Sequence, residues 1–336
     1  MLGAVALAVG LAEIAARQLG EPRNVGPAFT VYDPVYLRRL KPDVSFVSTS
    51  SEFSWRFTTN TRGLRDPERR VPPQRPILFL GDSFTMGYGV DDGGEFPRLV
   101  EAALRRERGP APPIEVVNAG IGNAGNGHWL KFLAREAPRY QPRLVVLQVS
   151  SNDVGDNLRE RLFALGDAAR LVELPVPGPS WQRRAQSVAE SIPGLSHSYL
   201  FASLKQWALG RGATPTPTPT PTPPTADAPP GPGGTSAAGE ALTLAMIDAA
   251  LARCAAAGWR TLLLNVGWDG PLRDRLESLC RAHQTPVWTV PTKAERPDLY
   301  YVIDGHWRAA GHRWVAEQLE PLIRAALTAP AGQRGP

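Results

Sequence analysis

The chain has 336 residues, 43% of them hydrophobic and 21% charged, an ordinary balance with enough apolar material for a sizeable core. Its 37 basic residues exceed the 32 acidic ones by five, yet only Lys41, Lys131, Lys205 and Lys293 are lysines and no basic run is interleaved with aromatics. That pattern excludes nucleic-acid binding as the organising function.

Residues 1–12 are uncharged and apolar, Glu13 interrupts them and Arg17 closes the run. About 16 helical residues at about 1.5 Å each fall short of the ~30 Å hydrocarbon core. The run also lacks a basic start and a good cleavage site. Residues 1–21 read as a hydrophobic leader or membrane anchor, the alternative being an amphipathic first helix on a cytosolic domain. Residues 22–75 are rich in proline and arginine. Ser45-Phe46-Val47 and Phe53-Ser54-Trp55-Arg56-Phe57 alternate in polarity and predict small antiparallel strands. Asn60-Thr61-Arg62-Gly63-Leu64-Arg65-Asp66 then predicts a turn.

From residue 76 the chain alternates strand and helix. Strands are predicted over 77–80, 114–118, 144–149, 259–266 and 286–290, and helices near 95–108, 125–137, 237–256, 270–283 and 308–327. That order predicts a five-stranded parallel sheet with right-handed crossovers, in a flavodoxin-like three-layer α/β/α sandwich. An insertion, 158–236, interrupts it. Its first part carries Trp181, Tyr199 and Trp207, enough to pack as a cap; its second, 211–236, holds a Thr-Pro tract and reads as an extended linker. The tail 328–336 is expected to be disordered. Cys254 and Cys280 flank the fourth strand and either pair in an oxidising compartment or lie as separate buried thiols. Neither has further ligands at a metal-binding spacing, so no metal site is expected.

Gly81-Asp82-Ser83 stops the first core strand abruptly and puts a hydroxyl at its carboxyl end, where open α/β sheets keep their ligand sites. Taken alone, these are three ordinary turn residues. Further on come Asn152-Asp153 after another apolar strand and Asp304-Gly305-His306 near the C-terminus. A serine is a weak nucleophile until a base takes its proton, and the base needs a third group to orient it. The chain supplies all three types.

Gly81-Asp82-Ser83-Phe84-Thr85, Ser151-Asn152-Asp153 and Asp304-Gly305-His306 resemble the first, third and fifth blocks of the SGNH (GDSL-type) hydrolases, over roughly residues 55–327 with one large insertion. The resemblance implies Ser83 as nucleophile, His306 as base and Asp304 as the acid that orients it. It implies an oxyanion hole built from the Ser83 N–H, the Asn152 side-chain amide and the N–H of Asn123, five residues after the Asn118 that opens the second block. Gly120 is the alternative register. Many relatives place the acid three residues before the histidine; here the gap is two, and Asp304-Gly305-His306-Trp307 also resembles the polysaccharide O-acetylation members. His128 and Gly122 are candidate substrate-binding residues. His312 reads as a packing or capping residue, and His197 and His283 as histidines without acidic or nucleophilic company. Asp82 and Asp153 read as local turn and cap residues.

The expected activity is hydrolysis of small-molecule or glycan carboxylic esters through an acyl-Ser83 intermediate, without metal or cofactor. The alternatives are an O-acyltransferase acting on an envelope or secreted polysaccharide, and a non-catalytic envelope binding module. Membrane-associated relatives often begin with a hydrophobic leader carrying a late Glu and Arg, which implies an extracytoplasmic enzyme in membrane contact through its N-terminal segment. No motif specifies the ester or the oligomeric state.

Overall fold

The computed structural model describes residues 2–19, 25–69, 71, 73–106, 114–179, 181–192, 194–210 and 237–328. The predicted linker 211–236 and the tail after residue 328 lie outside the described residues. In chain order, helix α1 (Leu2–Leu19) precedes two hairpins, β1 (Thr30–Asp33) with β2 (Leu37–Leu40) and β3 (Ser45–Thr49) with β4 (Ser54–Thr58). The core follows as β5 (Ile77–Leu80), α2 (Ser83–Met86), α3 (Phe96–Arg106), β6 (Val116–Asn118), α4 (Gly127–Arg135), α5 (Ala137–Tyr140), β7 (Leu144–Ser150) and α6 (Asp153–Glu160). The insertion holds the hairpin β8 (Phe163–Leu165) and β9 (Leu171–Glu173), then α7 (Trp181–Glu190) and α8 (Tyr199–Gly210). The chain closes with α9 (Ala237–Ala256), β10 (Arg260–Val266), α10 (Gly270–Ala282), β11 (Val287–Val290) and α11 (Ala309–Thr328).

Five strands form one parallel sheet in the order β11-β10-β7-β5-β6. β7, at its centre, is buried at every position, its apolar run Leu144–Leu147 covered on both faces and its Gln148 and Ser150 turned to hydrogen bonds at the carboxyl end. The two-residue period divides the side chains between two cores. Ile77, Phe79, Leu144 and Val146 meet α3 and α11 through Phe96, Val100, Val315 and Leu319; Leu78, Leu80, Val145 and Leu147 meet α4, α9 and α10 through Trp129, Leu133, Ile247 and Leu276. Each such side chain contributes about 1.5–3 kcal/mol on full burial. The result is the expected α/β/α sandwich, and it holds the strand ends at which the site is assembled.

Cys254 and Cys280 are free buried thiols, pushed up to about 12 by desolvation. Helix α6 was not expected, because its inner face is Asp153, Asp156, Asn157 and Glu160 beside Val154, so burial there follows no apolar period.

The N-terminal extension folds onto the segment after Ser83 through an aromatic cluster in which Phe29, Phe53, Trp55 and Phe57 surround Met86 and Tyr88. The predicted turn is structural. Arg65, 1% exposed, donates to the carbonyl oxygens of Gly87 at 2.5 Å and Val90 at 2.6 Å and lies over the Trp55 ring. Helix α1 packs on α8, and the Glu13 carboxylate accepts the Ser198 hydroxyl at 2.7 Å and the N–H groups of Tyr199 and Leu200 at 3.0 Å. Among the described residues no helix is long and apolar enough to cross a membrane.

Candidate active site

β5 ends at Leu80 and the chain turns at once. A Cβ on Gly81 would lie 2.2 Å from the Thr85 hydroxyl and 2.3 Å from the Gln148 side chain, so only glycine fits. Asp82 caps α2, its carboxylate accepting the Phe84 N–H at 2.9 Å, and Ser83 is the first residue of that helix. Neighbouring β7 fastens the turn from below. The Gln148 side-chain oxygen accepts the Asp82 N–H at 3.1 Å and the Thr85 hydroxyl at 2.8 Å, and the Ser150 hydroxyl donates to Asp82.

Ser83 Oγ lies 2.7 Å from His306 Nε2, and His306 Nδ1 lies 2.5 Å from Asp304 Oδ1. The short gap between acid and base has a local cause. Gly305 has φ +85°, in the left-handed region, and folds the chain back so that one Asp304 oxygen also accepts the His306 N–H at 3.3 Å. The imidazole is flanked by the Phe84 and Tyr88 rings, each with its centroid 4.9 Å away. Trp307, fully buried, packs edge-on against Phe84 and anchors the chain beyond the histidine.

Asp82 and Asp153 are the structural residues expected. Asp153 accepts the Ser150 N–H at 3.1 Å and the Asn126 amide at 2.9 Å. Burial pushes both carboxyls above the usual range, Asp153 the further because the Asp82 charge is near. Among the described residues neither carboxyl has a hydrogen bond to His306 or to the Ser83 hydroxyl.

The loop after β6 lies against α2. A Cβ on Gly120 would come 2.3 Å from the Met86 nitrogen, and the Gly120 N–H already donates to Asn118 Oδ1 at 3.1 Å. That removes Gly120 as an oxyanion donor. Asn123 has φ +56° in a turn closed by Ala124 N–H on the Ile121 carbonyl at 3.2 Å. Among the described residues its N–H and that of Ser83 have no partner. The Asn152 amide donates one hydrogen to Asp156 at 2.7 Å, which orients it and leaves the second free.

His128 and Gly122 do not form the rim. His128 is 4% exposed, with Nε2 3.4 Å from Glu160, a carboxylate that also meets Arg38 at 3.3 Å and the Gly125 N–H at 3.1 Å. Glu160 is buried, which disfavours its charge, but these partners win and hold it below the usual range. Gly122 is buried beneath the Phe29 ring and the Met86 methyl. His312 is the capping residue foreseen, accepting the Phe96 N–H at 3.2 Å. His283, expected to stand alone, pairs instead with Asp248 at 2.6 Å, away from the site. Among the described residues no three His, Cys, Asp or Glu side chains gather as metal ligands.

A parallel sheet with a serine at one strand end, backed by a histidine and a carboxylate, has the arrangement of a serine hydrolase, and the sequence match gives the ester-cleaving class. The chain belongs to the GDSL-like lipase/acylhydrolase family, whose model matches residues 79–314. Among solved structures it is similar to TesA (15% identity, TM-score 0.43, covering 75% of this chain and 99% of that one). It is also similar to the psychrotrophic esterase EstA from Pseudoalteromonas sp. (13%, 0.43, 75% and 97%) and to the acetyl xylan esterase AlAXEase (14%, 0.43, 74% and 99%). No curated protein matches in sequence.

Proposed function

We propose that the protein cleaves carboxylic esters through an acyl-Ser83 intermediate. His306 Nε2 takes the Ser83 proton as Oγ attacks the ester carbonyl, then returns it to the leaving alcohol; water, activated by the same nitrogen, releases the acid. Asp304 fixes the tautomer with Nδ1 protonated and stabilises the imidazolium. The Ser83 and Asn123 N–H groups and the free Asn152 amide hydrogen are the assigned oxyanion donors. The unbroken line Asp304–His306–Ser83 is the observation that carries this reading.

Asn123 also borders a cleft of about 560 Å³ lined by Tyr32, Lys41, Arg184, Ser187 and Glu190. Beside Ala28, Val31 and Pro179, these hydroxyls and the Lys41–Glu190 ion pair offer an alcohol part both hydrogen-bond partners and apolar contact. For location we infer tethering to a membrane through α1, on the extracytoplasmic side as the family resemblance implies. The described side chains from 3 to 11 are all exposed, and Val5, Leu7, Val9 and Leu11 each exceed one half. A helix apolar all round needs apolar surroundings, and residues 2–12 extend about 16 Å, close to the depth of one leaflet.

The test is hydrolysis of short and medium p-nitrophenyl esters, with fluorophosphonate labelling of the serine. Ser83→Ala and His306→Ala should each lower kcat/KM at least about a thousandfold, and Ser83→Ala should abolish labelling. Labelling without turnover until a glycan acceptor is added establishes the acyltransferase instead. A chain that neither labels nor turns over is a binding module.

A further inference from the structure

We propose that Glu52, at the tip of the β3–β4 hairpin, is a positioning residue for the Asp304–His306 pair, an inference that rests on the triad reading above. Its two carboxylate oxygens accept three successive backbone N–H groups, from Val302 at 2.7 Å, Ile303 at 2.8 Å and Asp304 at 2.6 Å. Partial burial opposes its charge, but those N–H groups outweigh it and hold the Glu52 carboxyl below the usual range.

Side-chain packing does little for the segment so held. Val302 is 79% exposed, Ile303 is 62% exposed, and nothing lies within 4 Å of a Cβ built on Gly305. Lys293 adds one bond, to the Val302 carbonyl at 2.5 Å, and the Tyr301 N–H reaches the His306 carbonyl at 2.8 Å. The third N–H held by Glu52 belongs to Asp304 itself. Fixing that peptide fixes the origin of the side chain whose carboxylate orients the imidazole. Next along the hairpin, Phe53 packs at a tilt against Tyr301 with ring centroids 4.4 Å apart and meets Tyr88 edge-on at 5.5 Å, and Tyr88 flanks His306. One hairpin tip therefore grips the acid–base loop through its backbone and supports the imidazole through a ring contact. Residue 52 lies outside the family match at 79–314, so this clamp belongs to the extension.

The carboxylate is specific to the task. A glutamine keeps one acceptor but turns an NH2 group towards backbone donors, and an alanine removes both acceptors, leaving three N–H groups to water. Misplacing a catalytic group by about 1 Å costs up to a hundredfold in rate. In the full chain, Glu52→Ala is expected to lower kcat for p-nitrophenyl acetate by about tenfold to a hundredfold, with KM within about twofold and Tm nearly unchanged. Glu52→Gln should fall between it and wild type, and Ser51→Ala at the same exposed tip should match wild type. A readout independent of turnover is the low-field proton resonance of His306 Nδ1–H, expected in wild type and in Ser83→Ala and broadened or shifted in Glu52→Ala. If Glu52→Ala keeps both kcat and that resonance, or if it loses activity only in step with thermal stability, the proposal is overturned. If wild type is itself inactive, the triad reading fails, and the resonance still decides whether Glu52 holds the pair.

Discussion

Gly305 lets a carboxylate two residues from a histidine reach the imidazole. With φ +85° any side chain there is strained by about 1–2 kcal/mol, although the space around it is open. Gly305→Ala should lower Tm by a few degrees and kcat by about tenfold, because the loop relieves its strain by opening the Asp304–His306 contact. A thermal melt beside steady-state kinetics checks both; unchanged kcat with lowered Tm would show that the contact survives without the glycine. At this scale the sequence was informative where chemistry repeats a motif. Ser83, Asp304 and His306 were legible from three short blocks. Glu160, Gln148 and Glu52 were not, since a buried or clamping polar residue looks like any other and no spacing announces its partner. His128 misled for the same reason: position in the chain suggested the rim, whereas α4 turns it inwards to Glu160.

Helices α3 and α11 share a second device. The first N–H of α3, at Phe96, is capped by His312 from α11, and burial pushes that imidazole down to about 3. The sign follows from linkage. Between about pH 6.5 and pH 3 the unfolded chain takes up a proton that the folded chain refuses, so this stability is present above pH 6.5 and is lost on acidification. The slope is at most about 1.4 kcal/mol per pH unit. His312→Asn keeps an acceptor without the titration. Between about pH 7 and pH 5 wild type should lose about 2 kcal/mol more than the variant in denaturant unfolding. Equal losses would mean that His312 is protonated in the folded state. Elements were legible where their faces were apolar: all five core strands and five long helices lie within a few residues of expectation. Helix α6 was hidden because polar groups line what it buries, and the β8–β9 hairpin because its three-residue strands are too short to show a period, although Phe163, Leu165 and Leu171 pack on the core.

Across the whole molecule, the extension before the sheet and the loop before α11 meet at the site. The extension supplies the aromatic cluster and the clamp, while α1 projects an apolar surface with Glu13 already satisfied by α8 and drawn down to about 2, burial notwithstanding, by the Ser198 hydroxyl and the Leu200 and Tyr199 N–H groups. Each large side chain moved from water into hydrocarbon gains about 1.5–3 kcal/mol. Mixed with phosphatidylcholine–phosphatidylglycerol vesicles, the full chain should float with the lipid. A Leu7→Asp/Val9→Asp/Leu11→Asp variant should stay in the load fraction yet hydrolyse soluble esters at the wild-type rate. Wild type remaining with the variant would sink the tethering reading. The apolar leader was legible from composition alone, but its partnership with α8 was not, because it depends on one carboxylate capping a helix 186 residues further along.

Ser83 and His306 stand 223 residues apart, and that interval is also a delay. A ribosome adding about 5–20 residues per second spends roughly 10 to 45 s between making the nucleophile and making its base. Throughout that time the growing chain carries a serine with no imidazole to activate it, and any product terminated early carries it permanently. On the triad reading, ester cleavage is thus withheld from the nascent chain until His306 has been made.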